Sequence, residues 1–140
     1  METNIDVNST HVEGVSYLIT VYNKERYVAE VIKSVISQNG AFQKEIIVVD
    51  DGSTDNSPQI INQALDGYKQ KKIIQQANCG PAYAFNVGVK AASFPFVKFV
   101  DADDILYPDA TLTLLPHMTK ENVAIVIGMG EIYERFREEF

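Results

Sequence analysis

Two short acidic runs in this sequence have the residue types and spacing to do chemistry. Asp50-Asp51-Gly52-Ser53-Thr54-Asp55 follows the apolar run EIIVV, and Asp101-Ala102-Asp103-Asp104 follows FVKFV. Adjacent strand residues point to opposite faces. One of Asp50 and Asp51 is therefore expected to face a ligand as an acceptor for N–H or O–H groups, and the other to brace the turn. The bland alternative is a strand-to-helix turn in which Gly52 frees the backbone and Ser53, Thr54 and Asp55 bond locally. In the second run, three carboxylates in four residues repel one another unless a cation or donors lie between them. Hard divalent cations take oxygen ligands, and Mg2+ is often held by one or two carboxylates plus substrate phosphates. The alternative is a solvated acidic loop that favours the start of the next helix. A third stretch, Asn78-Cys79-Gly80-Pro81, puts small residues at a helix start, where backbone can approach an anion.

The elements that must position these runs are legible as alternating strands and helices. Residues 15–22 (VSYLITVY), 45–50 (EIIVVD), 72–76, 96–100 (FVKFV) and 123–127 (VAIVI) read as strands. Residues 26–38 carry apolar positions at helical spacing and end at Asn39-Gly40. A second helix is expected from Ser57-Pro58 to about Lys71, with Ser57 as N-cap. Further helices are expected over 81–92 and 108–118, and residues 131–140 fit either state. This alternation implies an α/β fold, a mostly parallel sheet with helices on both faces. Ligands of such sheets bind at the carboxyl ends of the strands. Asp50, Asp51, Asp101, Asp103 and Asp104 would gather there.

The bulk numbers narrow the partners. A chain of 140 residues, 46% hydrophobic and 22% charged, suits one globular domain. A net charge of −7 argues against nucleic-acid binding, which needs a basic face. A phosphorylated ligand remains compatible, because a bound cation reverses the local sign. Cys79 stands alone, so neither an intramolecular disulfide nor a cysteine zinc cluster forms, and a reducing compartment is expected. No apolar run approaches the ~18 residues of a membrane span. Residues 1–14 lack the basic and apolar regions of a signal peptide and read as a flexible leader before a domain over 15–140. GxxxxGK[ST] is absent, Gly128-Met129-Gly130 lacks the dinucleotide fingerprint, and residues 50–56 lack the EF-hand pattern. His11 and His117 are isolated, Cys79 reads as a small semi-buried thiol, and Phe85 and Tyr107 read as packing residues.

Four segments together resemble the family 2 glycosyltransferases and their Rossmann-like GT-A fold. They are SYLITVYNKERYVAEVIKSVISQ, EIIVVDDGSTDNS, QQANCGPAYAFNVGVKAA and FVKFVDADDILYPD, in the family's order across roughly residues 15–127. The resemblance implies a nucleotide-diphospho-sugar donor, a UDP-sugar favoured, with Mg2+ or Mn2+. It implies inverting transfer of the sugar to a hydroxyl of a carbohydrate or lipid-linked acceptor, as in polysaccharide biosynthesis. By position, Thr20, Val21 and Tyr22 would line the nucleoside pocket, with Glu25 nearby. Asp51 would accept a hydrogen bond from the base, and Gly80 would approach the nucleotide. Asp101-Ala102-Asp103 matches the DxD element, with Asp101 toward the ribose or sugar and Asp103 toward the metal.

Two departures qualify the resemblance. Phe85 stands where the family often has arginine, which removes a cation near the diphosphate. Family catalytic domains usually run roughly a hundred residues further, so the general base is expected beyond Phe140 and the sheet is expected to be cut short at its C-terminal side. A catalytically inactive nucleotide-sugar-binding fragment or regulatory module is the alternative reading. A receiver-like phosphotransfer domain is disfavoured, because Gln75-Gln76 and Gly128 occupy the positions of its aspartate and lysine. The remaining expectations are a cytoplasmic location, at the membrane face through a further part or partner, and self-association through an exposed sheet edge.

Overall fold

A strand that is apolar on both faces is stable only where both faces are covered. That condition organises this chain. The computed structural model describes residues 12–120, with 123, 125, 127 and 128. The elements run β1 (Gly14–Val21), α1 (Val28–Ile36), β2 (Gln43–Asp50), α2 (Ser57–Ala64), β3 (Lys71–Gln75), α3 (Pro81–Ala91), β4 (Phe96–Asp101) and α4 (Ala110–Met118). The strands are all parallel, in the order β3-β2-β1-β4. The α/β class expected from the sequence is what forms.

Side-chain alternation divides the core into two layers. Tyr17, Ile19, Val21, Ile46 and Val48 meet Val28, Val31, Ile32 and Val35 of α1, together with Ile61 and Leu115. Leu18, Ile47 and Val49 point the other way, against Ala84 of α3. At Gly88 of α3, an added Cβ would lie 2.1 Å from Leu18 Cδ1, so the missing side chain lets the helix sit close on β1.

β1 lies between β2 and β4. The chain winds outward from β1 to β3, then returns across the sheet to place β4 on β1's other side. The gap between β1 and β4 is therefore a topological switch point, where crevices open in sheets of this kind. In register, Thr20 stands opposite Asp101, and Val21 opposite Asp50.

Several expected boundaries move. α2 stops at Ala64 instead of continuing to Lys71, because Gly67 (φ +71°) turns the chain toward β3. Ser57 is not the N-cap. It is the first helical residue, and its N–H is taken by Asp55 Oδ1 at 2.9 Å. α1 is shorter at both ends than 26–38, and Asn39 N–H instead bonds Pro108 O at 2.9 Å. The fifth strand does not appear among the described residues. Val123, Ile125 and Ile127 belong to no strand, and both isoleucines are strongly exposed. Residues 124 and 126 of the expected strand lie outside the described residues. The expected leader (1–14) lies outside the described residues except for 12–14, and Gly14 already belongs to β1. The tail over 131–140 and His11 lie outside them entirely.

Candidate functional site

The loop after β1 and the loop after β2 are built as one unit. Asn23 adopts a left-handed backbone (φ +51°), which asparagine tolerates better than most residues. Its N–H donates to Ser53 Oγ at 2.9 Å, and its Oδ1 accepts from Thr54 N–H at 2.8 Å. Lys24 N–H donates to Ser57 Oγ, and Glu25 N–H to Asp55 Oδ2. Glu25 Oε2 accepts in return from Asn56 N–H at 2.9 Å. The small polar residues after Asp51 thus pair with the backbone of residues 23–25. Burial would push the Asp55 carboxyl upward, but the donors from Ser57 and Glu25 outweigh it and hold it below its ordinary value.

Both aspartates of the first run are buried. Asp50 Oδ1 accepts Ser53 N–H at 3.2 Å and braces the turn. Asp51 reaches the other way. Its Oδ1 accepts Cys79 N–H at 2.9 Å and Gln76 Nε2 at 2.7 Å, and its Oδ2 accepts Gly80 N–H at 2.9 Å. Burial opposes the charge, but these donors prevail and lower the pKa. Asp51 therefore ties the loop before α3 to the end of β2. Gln76 Oε1 stays buried beside it without a hydrogen-bond partner among the described residues.

The second run begins on the last residue of β4. Ala102 is buried, while Asp101, Asp103 and Asp104 are exposed at the strand's carboxyl end. Asp103 Oδ2 pairs with Lys24 Nζ at 2.5 Å, joining the loops after β1 and β4. Asp104 is pushed up by partial burial, then by the negative charges of Asp101 and Asp103. Among the described residues no three His, Cys, Asp or Glu side chains form a metal cage. The donor set is one or two exposed carboxylates, which fits a hard divalent cation held mainly by phosphate and water oxygens.

The other expected site residues lie on the same sheet end. Thr20 and Val21 close β1, with Val21 buried, and Tyr22 follows with its ring exposed. Gly80 has φ +92° and precedes α3. Cys79 is exposed rather than semi-buried, because its backbone, not its thiol, holds the loop. Phe85 and Tyr107 are exposed too, although Phe85 packs as expected. The Phe85 ring stacks on Phe99 across α3 and β4, with centroids 4.1 Å apart. A pocket of about 240 Å³ lined by Glu45, Lys72 and Phe94 lies at the opposite, amino-terminal end of the strands.

Sequence reasoning missed Asn23, Lys24 and Gln76. Asn23 carried a signal, since asparagine after a strand end often takes a left-handed turn. Lys24 and Gln76 carried none, because their partners lie 79 and 25 residues away.

Comparison with known proteins agrees with this geometry. Residues 16–139 match the family model described as Glycosyl transferase family 2. The chain is 36% identical over 116 residues to poly-beta-1,6-N-acetyl-D-glucosamine synthase of Staphylococcus epidermidis, covering 81% of this chain and 28% of that protein. It is 33% identical over 118 residues to the glycosyltransferase GlyG of Streptococcus pneumoniae, covering 83% and 38%. Each of these relatives is more than twice as long as the part the chain spans. Among solved structures, S. aureus TarS in complex with UDP superposes with a TM-score of 0.68 at 31% identity, over 75% of this chain and 32% of that one. A mannosyltransferase from Pyrobaculum calidifontis, in complex with GDP-Man and Mn2+, gives 0.74 at 20% identity over 82% and 34%, a likeness of fold.

Proposed function

The chain belongs to glycosyl transferase family 2, and we propose that it binds a nucleotide-diphospho-sugar, a UDP-sugar by preference, at the carboxyl ends of β1, β2 and β4. The observation that carries this reading is the register around β1. It sets Thr20 beside Asp101 and Val21 beside Asp50, so the two acidic loops flank one strand end. The UDP and UDP-GlcNAc complexes of TarS support the donor class.

On this reading Tyr22 offers an exposed aromatic face beside the base. Thr20, Val21 and Glu25 shape the nucleoside pocket. Asp51 holds the Cys79–Gly80 backbone, and the one remaining lone pair, on Oδ2, accepts from the base edge. Asp101 takes ribose or sugar hydroxyls. Asp103, with Asp101, would hold Mg2+ or Mn2+. When bound, the ion supplies charge neutralisation for the diphosphate leaving group. Transfer proceeds with inversion onto an acceptor hydroxyl of a carbohydrate or lipid-linked molecule. None of the described residues is assigned as the general base.

On the same reading, residues 15–140 are the donor-binding part of a catalytic domain working at the cytoplasmic face of a membrane. Among the described residues no helix is long and apolar enough to cross one. An inactive nucleotide-sugar-binding module is the second reading. It is favoured by Phe85, which stacks on Phe99 where relatives often carry arginine.

Calorimetric titration with UDP, GDP and dTDP, with and without Mn2+, tests the proposal. UDP binding that Mn2+ strengthens and Asp103→Ala weakens is the expected result. Absence of binding by all three nucleotides overturns it. Binding of UDP-GlcNAc without any release of UDP, even with acceptors supplied, would favour the inactive module.

A further inference from the structure

Lys24 is placed by the loop after β1, and its backbone N–H is pinned to Ser57 Oγ at 2.9 Å. Its ammonium reaches Asp103 Oδ2 at 2.5 Å and lies 6.0 Å from the centroid of the Tyr27 ring. Asp103 is thus met by a cation of the chain itself, on the carboxylate assigned to the metal side of the nucleotide. Both partners remain about one-third to two-fifths exposed, at 34% and 44%. An ion pair so open to solvent is weakly held, because water screens both charges. It is strong enough to occupy the carboxylate and weak enough to be displaced. Asp101 and Asp104 carry no ion pair among the described residues.

We propose that Lys24 is the resident counter-ion of Asp103 and competes with a divalent cation for it. The inference rests on the reading of Asp103 as the metal-side carboxylate. Without nucleotide, the ammonium neutralises Asp103 and keeps the two loops together. A divalent cation must displace it, so free metal binds weakly. A diphosphate arriving with the cation supplies further oxygen ligands, and it also offers the released ammonium a new anion. The exchange needs no backbone movement, because the lysine stem is flexible and its main chain is held separately at Ser57.

The test is binding of Mn2+ alone, followed by water-proton relaxation at fixed ionic strength. It compares the full chain with Lys24→Met, Lys24→Arg, Asp103→Asn and the double variant Lys24→Met/Asp103→Asn. Folding of each is checked by circular dichroism. Lys24→Met should bind Mn2+ roughly twofold to fivefold tighter than the parent, since a weak competing ion pair is removed. Lys24→Arg keeps the charge and should stay within about twofold of the parent. The gain should vanish in the double variant. If Asp103→Asn weakens Mn2+ binding but Lys24→Met does not tighten it, the competition is wrong while the metal reading survives. If no variant binds Mn2+ through Asp103, both the competition and the metal reading fall. The nucleotide site is then judged by the UDP titration without metal.

Discussion

The Asp51 carboxylate accepts the backbone N–H of Gly80 at 2.9 Å, across 29 residues of chain. Its other oxygen takes Cys79 N–H, so one buried side chain positions the whole approach to α3. A loop carrying a glycine with positive φ has many conformations open to it. A charged acceptor that binds two consecutive N–H groups removes most of them. The glycine that could approach a nucleotide is thereby presented in one geometry.

Asp51→Ala should therefore act on stability and on binding together. It leaves Cys79 N–H, Gly80 N–H and Gln76 Nε2 without their acceptor, at a cost of about 2–4 kcal/mol. Urea unfolding measures that loss. UDP affinity should fall at least about tenfold, which corresponds to 1.4 kcal/mol. Asp51→Asn, which keeps the shape but loses the charge, should lie between the parent and Asp51→Ala in both measurements. Full UDP affinity in a folded Asp51→Ala protein would remove Asp51 from the site.

Acid stability should report on Glu45. This buried carboxylate receives Ser16 Oγ at 2.6 Å, Ser93 N–H and Oγ at 2.8 Å each, and Lys72 Nζ at 2.7 Å. Burial pushes its pKa up, yet the bonds from Lys72, Ser16 and Ser93 prevail and hold it at about 2. The unfolded chain, with Glu near 4.5, takes up the proton first as pH falls. The stabilisation is therefore fully present above about pH 4.5 and disappears on the way down to about pH 2. It amounts to roughly 3 kcal/mol. Glu45→Gln should flatten that acid limb in denaturant titrations taken at several pH values.

Gly52 and Gly67 separate two causes of strain. Both have φ above +70°. An added Cβ at Gly52 would lie 2.7 Å from the backbone N of Asn78, whereas at Gly67 nothing lies within 4 Å. Gly67→Ala should cost about 1–2 kcal/mol, the left-handed penalty alone. Gly52→Ala should cost more, by roughly a further 1–3 kcal/mol, because backbone must move. Thermal unfolding of the two variants compares them directly. Equal losses would show that the loop after β3 yields without resistance.

Self-association through the β4 edge is the remaining proposal. β4 has a strand neighbour only on the β1 side among the described residues, and Phe99 on it is exposed. Mass should rise with concentration in light scattering, and Phe99→Lys should suppress the rise. A constant monomer mass at high concentration counts against it.

Much of this molecule is legible along the chain. Apolar β-branched runs marked β1, β2 and β4, helical spacing marked α1, and the segments around Asp51 and Asp101 carried the family. These signals are local, since a side-chain period is set by neighbours a few residues away. The tertiary structure alone decided the strand order β3-β2-β1-β4, which brings Asp101 beside Thr20. It decided that Asp51 faces Gly80, and that Lys24 meets Asp103. It ended α2 at Ala64, where the left-handed turn at Gly67 leads the chain into β3, although a helical pattern was expected to continue to Lys71. Each of these depends on which segments become neighbours after folding. Hydrogen bonds and charges act over a few ångströms in space, and sequence separation does not report that distance.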